Sequence, residues 1–296
     1  VLILKMAFSE TTIRSIVAAV GVPFALLVVL AGGWSLAALL GIVAVLATLE
    51  FFRMAERKGV RPLRGVGSVV ALLFVVLAAV DPSRGPDAAG FATLTIAAML
   101  TLPVVSIWSR GVPGQPLLTV SATLAGGVYA GALISFGLFL RHLPANAGMW
   151  HGTALVFAPV VLTWASDTFA YFVGRTWGTR KLIPSVSPGK TVQGAVGAVL
   201  GTVLVAVAYS YLLSSFPTYR LGVGGAILLG LVVSTVAQLG DLAESLFKRD
   251  AGLKDSGKLL PGHGGALDRF DSLLFTLPVG YFFFRFLVGP QNAFLF

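Results

Sequence analysis

Nine apolar runs of near-helical length, separated by short connections, fix what this chain can become. They fall at 13–31, 33–52, 65–80, 91–108, 117–140, 152–174, 192–214, 222–247 and 272–288. A transmembrane helix needs roughly 20 mainly apolar residues, so eight of the nine are long enough outright and the third borrows from its flanks. A closed barrel is the other way to span a bilayer, but the runs lack the period-two alternation of barrel strands. The expected fold class is therefore an all-α polytopic membrane protein with about nine transmembrane helices. Composition agrees. Only 11% of residues are charged and 56% are apolar, against about a quarter charged in soluble domains, and the mean hydropathy is +0.91. A soluble enzyme, a disordered chain and a soluble DNA-binding domain are excluded. The longest connection is 248–271, so no soluble domain is inserted. We divide the chain into N-terminal membrane helices at 1–116 and C-terminal helices at 117–296 carrying the chemical motifs, together one integral membrane unit. With no cysteine, thiol catalysis and Cys-ligated zinc drop out.

The basic residues set the orientation. Of 21 Lys and Arg, 17 fall in the N-terminal tail and the loops 53–64, 109–116, 175–191 and 248–271, all on one side. Arg84, Arg141, Arg220 and Arg285 lie on the other. The positive-inside rule places the first group in the cytosol. The net charge of +9 is then a topological signal, and nucleic acid is not an expected partner. The first run reads as a retained span, because Arg14 interrupts its start and no convincing cleavage site follows.

Within the spans, Gly127 and Gly131 form one GxxxG pair, and Gly197 and Gly201 another. Small residues at this spacing let helices approach closely; internal packing is expected, and a homodimer face is the alternative. Carboxylates inside a span are costly, about 2.5–3.5 kcal/mol for Asp, and four qualify: Glu50, Asp167, Asp241 and Glu244. Asp167 and Asp241 lie roughly 10 and 9 Å from the cytosolic ends of their runs at 1.5 Å per residue. A buried polar cavity facing the cytosol explains both. Glu50 sits at a helix end, where snorkelling or pairing with Arg53 is expected. Glu244 precedes Lys248 by four residues, the spacing of a surface pair.

Chemistry concentrates in 241–271, DLAESLFKRDAGLKDSGKLLPGHGGALDRFD, with Asp241, Asp250, Asp255, Asp268 and Asp271. Clustered carboxylates repel unless a cation lies between them. Mg²⁺ takes one or two carboxylates plus substrate phosphate oxygens, which points to Asp241 and Asp268, with Asp271 one turn further on. The glycines at 262–265 permit tight turns, and His263 can donate to phosphate or act as acid or base. The 175–191 loop, RTWGTRKLIPSVSPGKT, holds four basic residues and no acid. Its Gly-Lys-Thr is not a P-loop, since Pro184 stands where that motif needs Gly. Ser187, Lys190 and Thr191 can still meet a phosphate at a helix N-terminus, or simply cap the helix. Carboxylates for a divalent cation beside nine basic residues suit a polyphosphate, with a lipid reached from the bilayer.

Those segments resemble a known family. Ser245-Leu-Phe-Lys248-Arg249, Lys254-Asp255, Pro261-Gly-His263-Gly264-Gly265 and Asp268-Arg269-Phe-Asp271 are similar to the signature of phosphatidate cytidylyltransferases, the CDP-diacylglycerol synthases. Asp167-Thr-Phe-Ala170-Tyr171-Phe-Val-Gly174 and Ser187-Pro-Gly189-Lys190-Thr191-Val-Gln193-Gly194 also look like family segments. Ala266, Gly189 and Gln193 depart from it, where a larger aliphatic residue, Lys and Glu are common. The resemblance covers about 165–271. It implies that CTP and phosphatidate from the inner leaflet give CDP-diacylglycerol and pyrophosphate, with Mg²⁺ and room for a second cation. It implies metal ligands at Asp241 and Asp268, and an assisting Asp271. Lys248, Arg249, Lys254 and Arg269 would neutralise the triphosphate, His263 stands with them, and Ser187, Lys190 and Thr191 would hold other phosphates. Asp167 would bind a cation or organise the cavity. The implied location is the inner (cytoplasmic) membrane of a bacterium, with the active site facing the cytosol. The competing readings are a related lipid kinase or lipid nucleotidyltransferase, and, further off, a transporter.

The charge bias yields a direct test. In the cysteine-free chain, single cysteines placed in 175–191 or 248–271 should react with a membrane-impermeant thiol reagent only from the cytosolic face. Labelling from outside would reverse the assigned topology.

Overall fold

The computed structural model describes residues 10–86, 89–143, 149–216, 220–257 and 264–288. Among them are nine apolar helices: α1 Glu10–Ala31, α2 Gly33–Arg57, α3 Arg64–Val80, α4 Ala89–Ser109, α5 Pro116–His142, α6 Met149–Trp177, α7 Val192–Ser214, α8 Val223–Asp250 and α9 Leu267–Val288. Seven are long and apolar enough to cross a membrane; α3, and the Gly21–Ala31 part of α1, are shorter. The chain is an all-α membrane protein. Among the described residues the one sheet is a short antiparallel hairpin, β1 Lys181–Ile183 and β2 Ser187–Thr191, in register Lys181 to Thr191 and Ile183 to Ser187. Helices α6 and α8 each run three residues past their apolar runs, to Trp177 and Asp250. Polar side chains at those tips do not stop a helix; they only mark where hydrocarbon ends.

The chain forms two compact units. The first comprises residues 1–80, 86–135 and 250–270; the second comprises 81–85, 136–249 and 271–296. In the first unit, Leu63, Val70, Phe74, Ala98, Leu102 and Ala132 make a buried apolar cluster, and the Phe74 and Phe91 rings lie 5.0 Å apart. The Thr123 hydroxyl accepts from the Leu63 amide at 2.9 Å and donates to the Thr119 carbonyl at 2.6 Å. Arg110 donates to the carbonyls of Arg61 and Pro62 at 3.1 and 3.2 Å. The turn before α3 is thus stitched to the helices beside it. Helix α5 carries a π-turn at Val128–Ala132, and here Gly131 lies directly against the backbone of Ala71.

In the second unit α6 and α7 pack along a small-residue stripe. Gly194, Gly197 and Gly201 face Ala170, Val173 and Phe169 in turn, and none has room for a Cβ. The opposite face of α7 presents Val196, Leu200 and Leu204 outward, as a lipid-facing surface should. Buried hydroxyl pairs, Thr163 with Thr276 and Ser166 with Ser234, each at 3.0 Å, join α6 to α9 and α8. Phe136, Phe139, Tyr281 and Phe282 form an aromatic cluster with centroids 5.4–5.7 Å apart. Both GxxxG pairs therefore serve packing within the chain.

Gly131→Ala should lower stability by about 1–3 kcal/mol through overpacking, because the added methyl meets backbone rather than a flexible side chain. Gly65→Ala, in α3 where a Cβ meets nothing within 4 Å, should be neutral or stabilising by up to about 1 kcal/mol. Thermal unfolding of the two purified variants in one detergent compares them.

Candidate active site

A cleft of about 480 Å³ opens in the second unit between α6, the hairpin, α7 and α8. Its walls use small residues, Ala170, Gly174, Gly194 and Ala195, and its polar groups are Asp167, Tyr171, Arg175, Lys190, Thr191, Gln238 and Asp241. The helix rise that puts Asp167 and Asp241 at similar depths brings both to this one cleft. Lys190 binds Asp241 at 2.7 Å, with the two side chains 26% and 32% exposed. The Ser245 hydroxyl donates to Asp241 at 3.3 Å. Arg175 donates to the Tyr171 hydroxyl at 2.6 Å and lies over its ring. The expected buried cavity is an open cleft instead, because Asp167 is exposed and Asp241 is only part-buried. Two carboxylates and two cationic side chains thus line one hollow with room for a phosphorylated ligand.

The hairpin holds Lys190 in place. Thr191 caps α7, its hydroxyl accepting from the Gly194 amide at 3.1 Å. Gln193 accepts from the amides of Thr179 and Arg180, both at 3.2 Å, and donates to the Thr179 hydroxyl at 2.7 Å. Arg249 reaches back from α8 to the Val186 carbonyl at 3.3 Å. Thus Gln193, a departure from the family pattern, has a structural task, and Arg249 braces the hairpin turn.

The structure does not gather all the residues singled out in the sequence. Asp167, Lys190, Thr191 and Asp241 line the cleft; Ser187, on β2, is not among its lining residues. Lys248 pairs with Glu244, as the spacing suggests, but the pair is not a surface one: the Glu244 side chain is fully buried and that of Lys248 is 12% exposed. Asp271 accepts from the Ser272 amide at 2.6 Å and lies within electrostatic range of Asp241, Asp167 and Lys248. Gly240 permits this, since a Cβ there would fall 2.9 Å from the Asp271 carbonyl. Lys254, Asp268 and Arg269 belong to the first unit, with Lys254 and Arg269 exposed. Asp268 accepts from the Ser256 amide at 2.9 Å and the Gly265 amide at 2.8 Å. His263 lies outside the described residues. Among the described residues no group of three or more His, Asp or Glu forms a metal centre.

The roles of four positions escaped the sequence reading. Tyr171, Arg175 and Gln238 line the cleft. Their signal was helical spacing: Tyr171 and Arg175 follow Asp167 by four and eight residues, and Gln238 precedes Asp241 by three. Glu50 is the fourth. It neither snorkels nor depends on Arg53; it is 5% exposed and accepts from Ser256, Ala266 and Leu267. Those partners are too distant in sequence for local spacing to reveal.

The chain is similar to known proteins along most of its length. A protein named phosphatidate cytidylyltransferase from Synechocystis is 35% identical over 305 aligned residues, covering 95% of this chain and 99% of that protein. One of the same name from Haemophilus influenzae is 40% identical over 181 residues, covering 61% of this chain and 60% of its own length. Another, from Staphylococcus haemolyticus, is 29% identical over 269 residues, 90% of this chain and 96% of that protein. The family pattern described as "Cytidylyltransferase family" matches residues 12–287, nearly every span and the whole cleft. The chain belongs to the cytidylyltransferase family.

Proposed function

We propose that this chain is an integral membrane nucleotidyltransferase that converts CTP and phosphatidate to CDP-diacylglycerol and pyrophosphate. A phosphate oxygen of phosphatidate attacks the α-phosphorus of CTP; the bond from that phosphorus to the bridging oxygen breaks, and pyrophosphate leaves. The lipid supplies the nucleophile, so no nucleophilic side chain is required. Positioning and charge neutralisation carry such a transfer, and the observation that supports the reading is the cleft that sets Lys190 and Arg175 beside Asp167 and Asp241.

Both substrates are anionic and repel each other as they approach. Lys190 and Arg175 reduce that repulsion, and fixed donors of this kind act most strongly on charge that develops in the transition state. Asp241 already holds a cationic group, the Lys190 ammonium, and carboxylate oxygens suit Mg²⁺. The cleft's donor set therefore fits the ion that the family implies. On the strength of their motifs alone we propose Asp241 and Asp268 as protein ligands for such an ion, with Asp271 assisting, although Asp268 is not among the residues lining the cleft; when bound, Mg²⁺ would neutralise phosphate charge. Lys248, Arg249, Lys254 and Arg269 remain proposed triphosphate partners, and Ser187, Thr191 and His263 proposed phosphate partners. The charge bias of the loops supports an active site on the cytosolic side of the inner membrane, with phosphatidate entering from the inner leaflet.

The test follows the labelled α-phosphate of CTP into a lipid-extractable product, using purified protein, phosphatidate and Mg²⁺. Label should enter lipid only with all three present. Asp241→Asn should lower turnover roughly a hundredfold or more, and Lys190→Met roughly tenfold, with both variants folded in the membrane. No label in lipid with the wild-type protein, or near-normal turnover by Asp241→Asn at limiting Mg²⁺, would remove the assignment.

A further inference from the structure

We infer that Glu50 is a positioning residue: its buried carboxylate fixes the start of α9 and, through Ser256, the place of the Asp268 carboxylate. This rests on the cytidylyl-transfer reading above. Glu50 lies in the apolar stretch of α2 and is 5% exposed. A carboxylate so placed needs strong donors around it, and three converge on it. The Ser256 hydroxyl donates at 2.9 Å, the Ala266 amide at 3.0 Å and the Leu267 amide at 2.8 Å. The two amides are at the beginning of α9, where backbone N–H groups have no partner within the helix and the helix presents its positive end. Glu50 answers both needs from a different helix. Hydrogen bonds to an ionised acceptor are roughly twice as strong as neutral ones.

Ser256 links this clamp to Asp268. Its hydroxyl donates to Glu50 and accepts from the Asp268 amide at 3.3 Å, while its own amide donates to the Asp268 carboxylate at 2.9 Å. The Gly265 amide donates to the same carboxylate at 2.8 Å. Gly257 and Gly265 lie against the Glu50 carboxylate with no space for a Cβ. Gly264 has φ +82°, and a Cβ there would fall 2.7 Å from an Asp268 carboxylate oxygen. Gly257, Gly264 and Gly265 thus let backbone approach two carboxylates at once. The site for Glu50 offers three donors, so a carboxamide cannot replace it: an NH₂ group would face an amide N–H.

The test uses the full-length protein in detergent and Mn²⁺ as the probe, titrated by electron paramagnetic resonance without nucleotide. Glu50→Gln should weaken Mn²⁺ binding roughly threefold or more and lower kcat roughly tenfold, since a shift of about 1 Å can cost a hundredfold in rate. The KM for phosphatidate should not change. Glu50→Asp keeps the charge and should recover part of the Mn²⁺ affinity. Unchanged Mn²⁺ affinity in Glu50→Gln overturns the proposal, whatever happens to the unfolding temperature, and so does a wild-type protein that binds no Mn²⁺. If Glu50→Gln does not fold, Ser256→Ala is read by the same criterion. A wild-type protein that binds Mn²⁺ but transfers no label to lipid counts against the cytidylyl-transfer reading alone; the Mn²⁺ comparison still decides on Glu50.

Discussion

Inside a bilayer every polar group must find its partner within the protein, and this constraint accounts for the arrangement of both units. There is no water in the hydrocarbon to answer an amide or a carboxylate. Glu50 is tolerable in α2 because three donors surround it. Glu244 is tolerable in α8 because Lys248 lies one turn away on the same face. The buried hydroxyls of Thr163, Ser166, Ser234 and Thr276 bond to one another across helices. The first and the last of these join separate segments, so the need to satisfy polar groups also bears on which segments pack.

Apolar contact alone would not bring these helices so close. Lipid tails are as apolar as leucine, so membrane helices associate through close packing and hydrogen bonds. The Gly194, Gly197 and Gly201 stripe provides the first by admitting Ala170, Val173 and Phe169. Close approach at the upper part of this stripe leaves the neighbouring small residues, Ala170, Gly174, Gly194 and Ala195, as one wall of the cleft. Packing and site are thus made by the same residues: side chains small enough for helix contact are also small enough to leave a hollow.

Much of this was legible in the sequence, for reasons that differ by scale. The nine apolar runs correspond to the nine helices because hydropathy reports directly on burial in lipid; their ends moved because polar tips continue as helix. Asp167 and Asp241 were found together because equal depth along two spans is simple arithmetic. The Glu244–Lys248 pair was legible from its spacing, whereas its burial was not, since i to i+4 says nothing about which face a pair occupies. Glu50 was misread because Ser256 lies 206 residues away and Leu267 lies 217 away. The hairpin was read as loop, for SPGKT has no apolar–polar alternation and a single β-branched residue to announce a strand.

That hairpin has a thermodynamic consequence. Gln193 ties its entry, Thr191 its exit and Arg249 its turn, and the carboxylate of Asp241 holds the long side chain of Lys190. A lysine free in a loop surrenders its rotational freedom when an anion arrives, at about 0.5–1.5 kcal/mol for each rotamer-rich side chain so immobilised. Here the backbone and the side chain are ordered before any anion arrives, so that entropy is lost during folding. What an incoming anion must supply is enthalpy, enough to draw the ammonium away from its carboxylate. Binding at this cleft then becomes an exchange of ionic partners in a site already assembled.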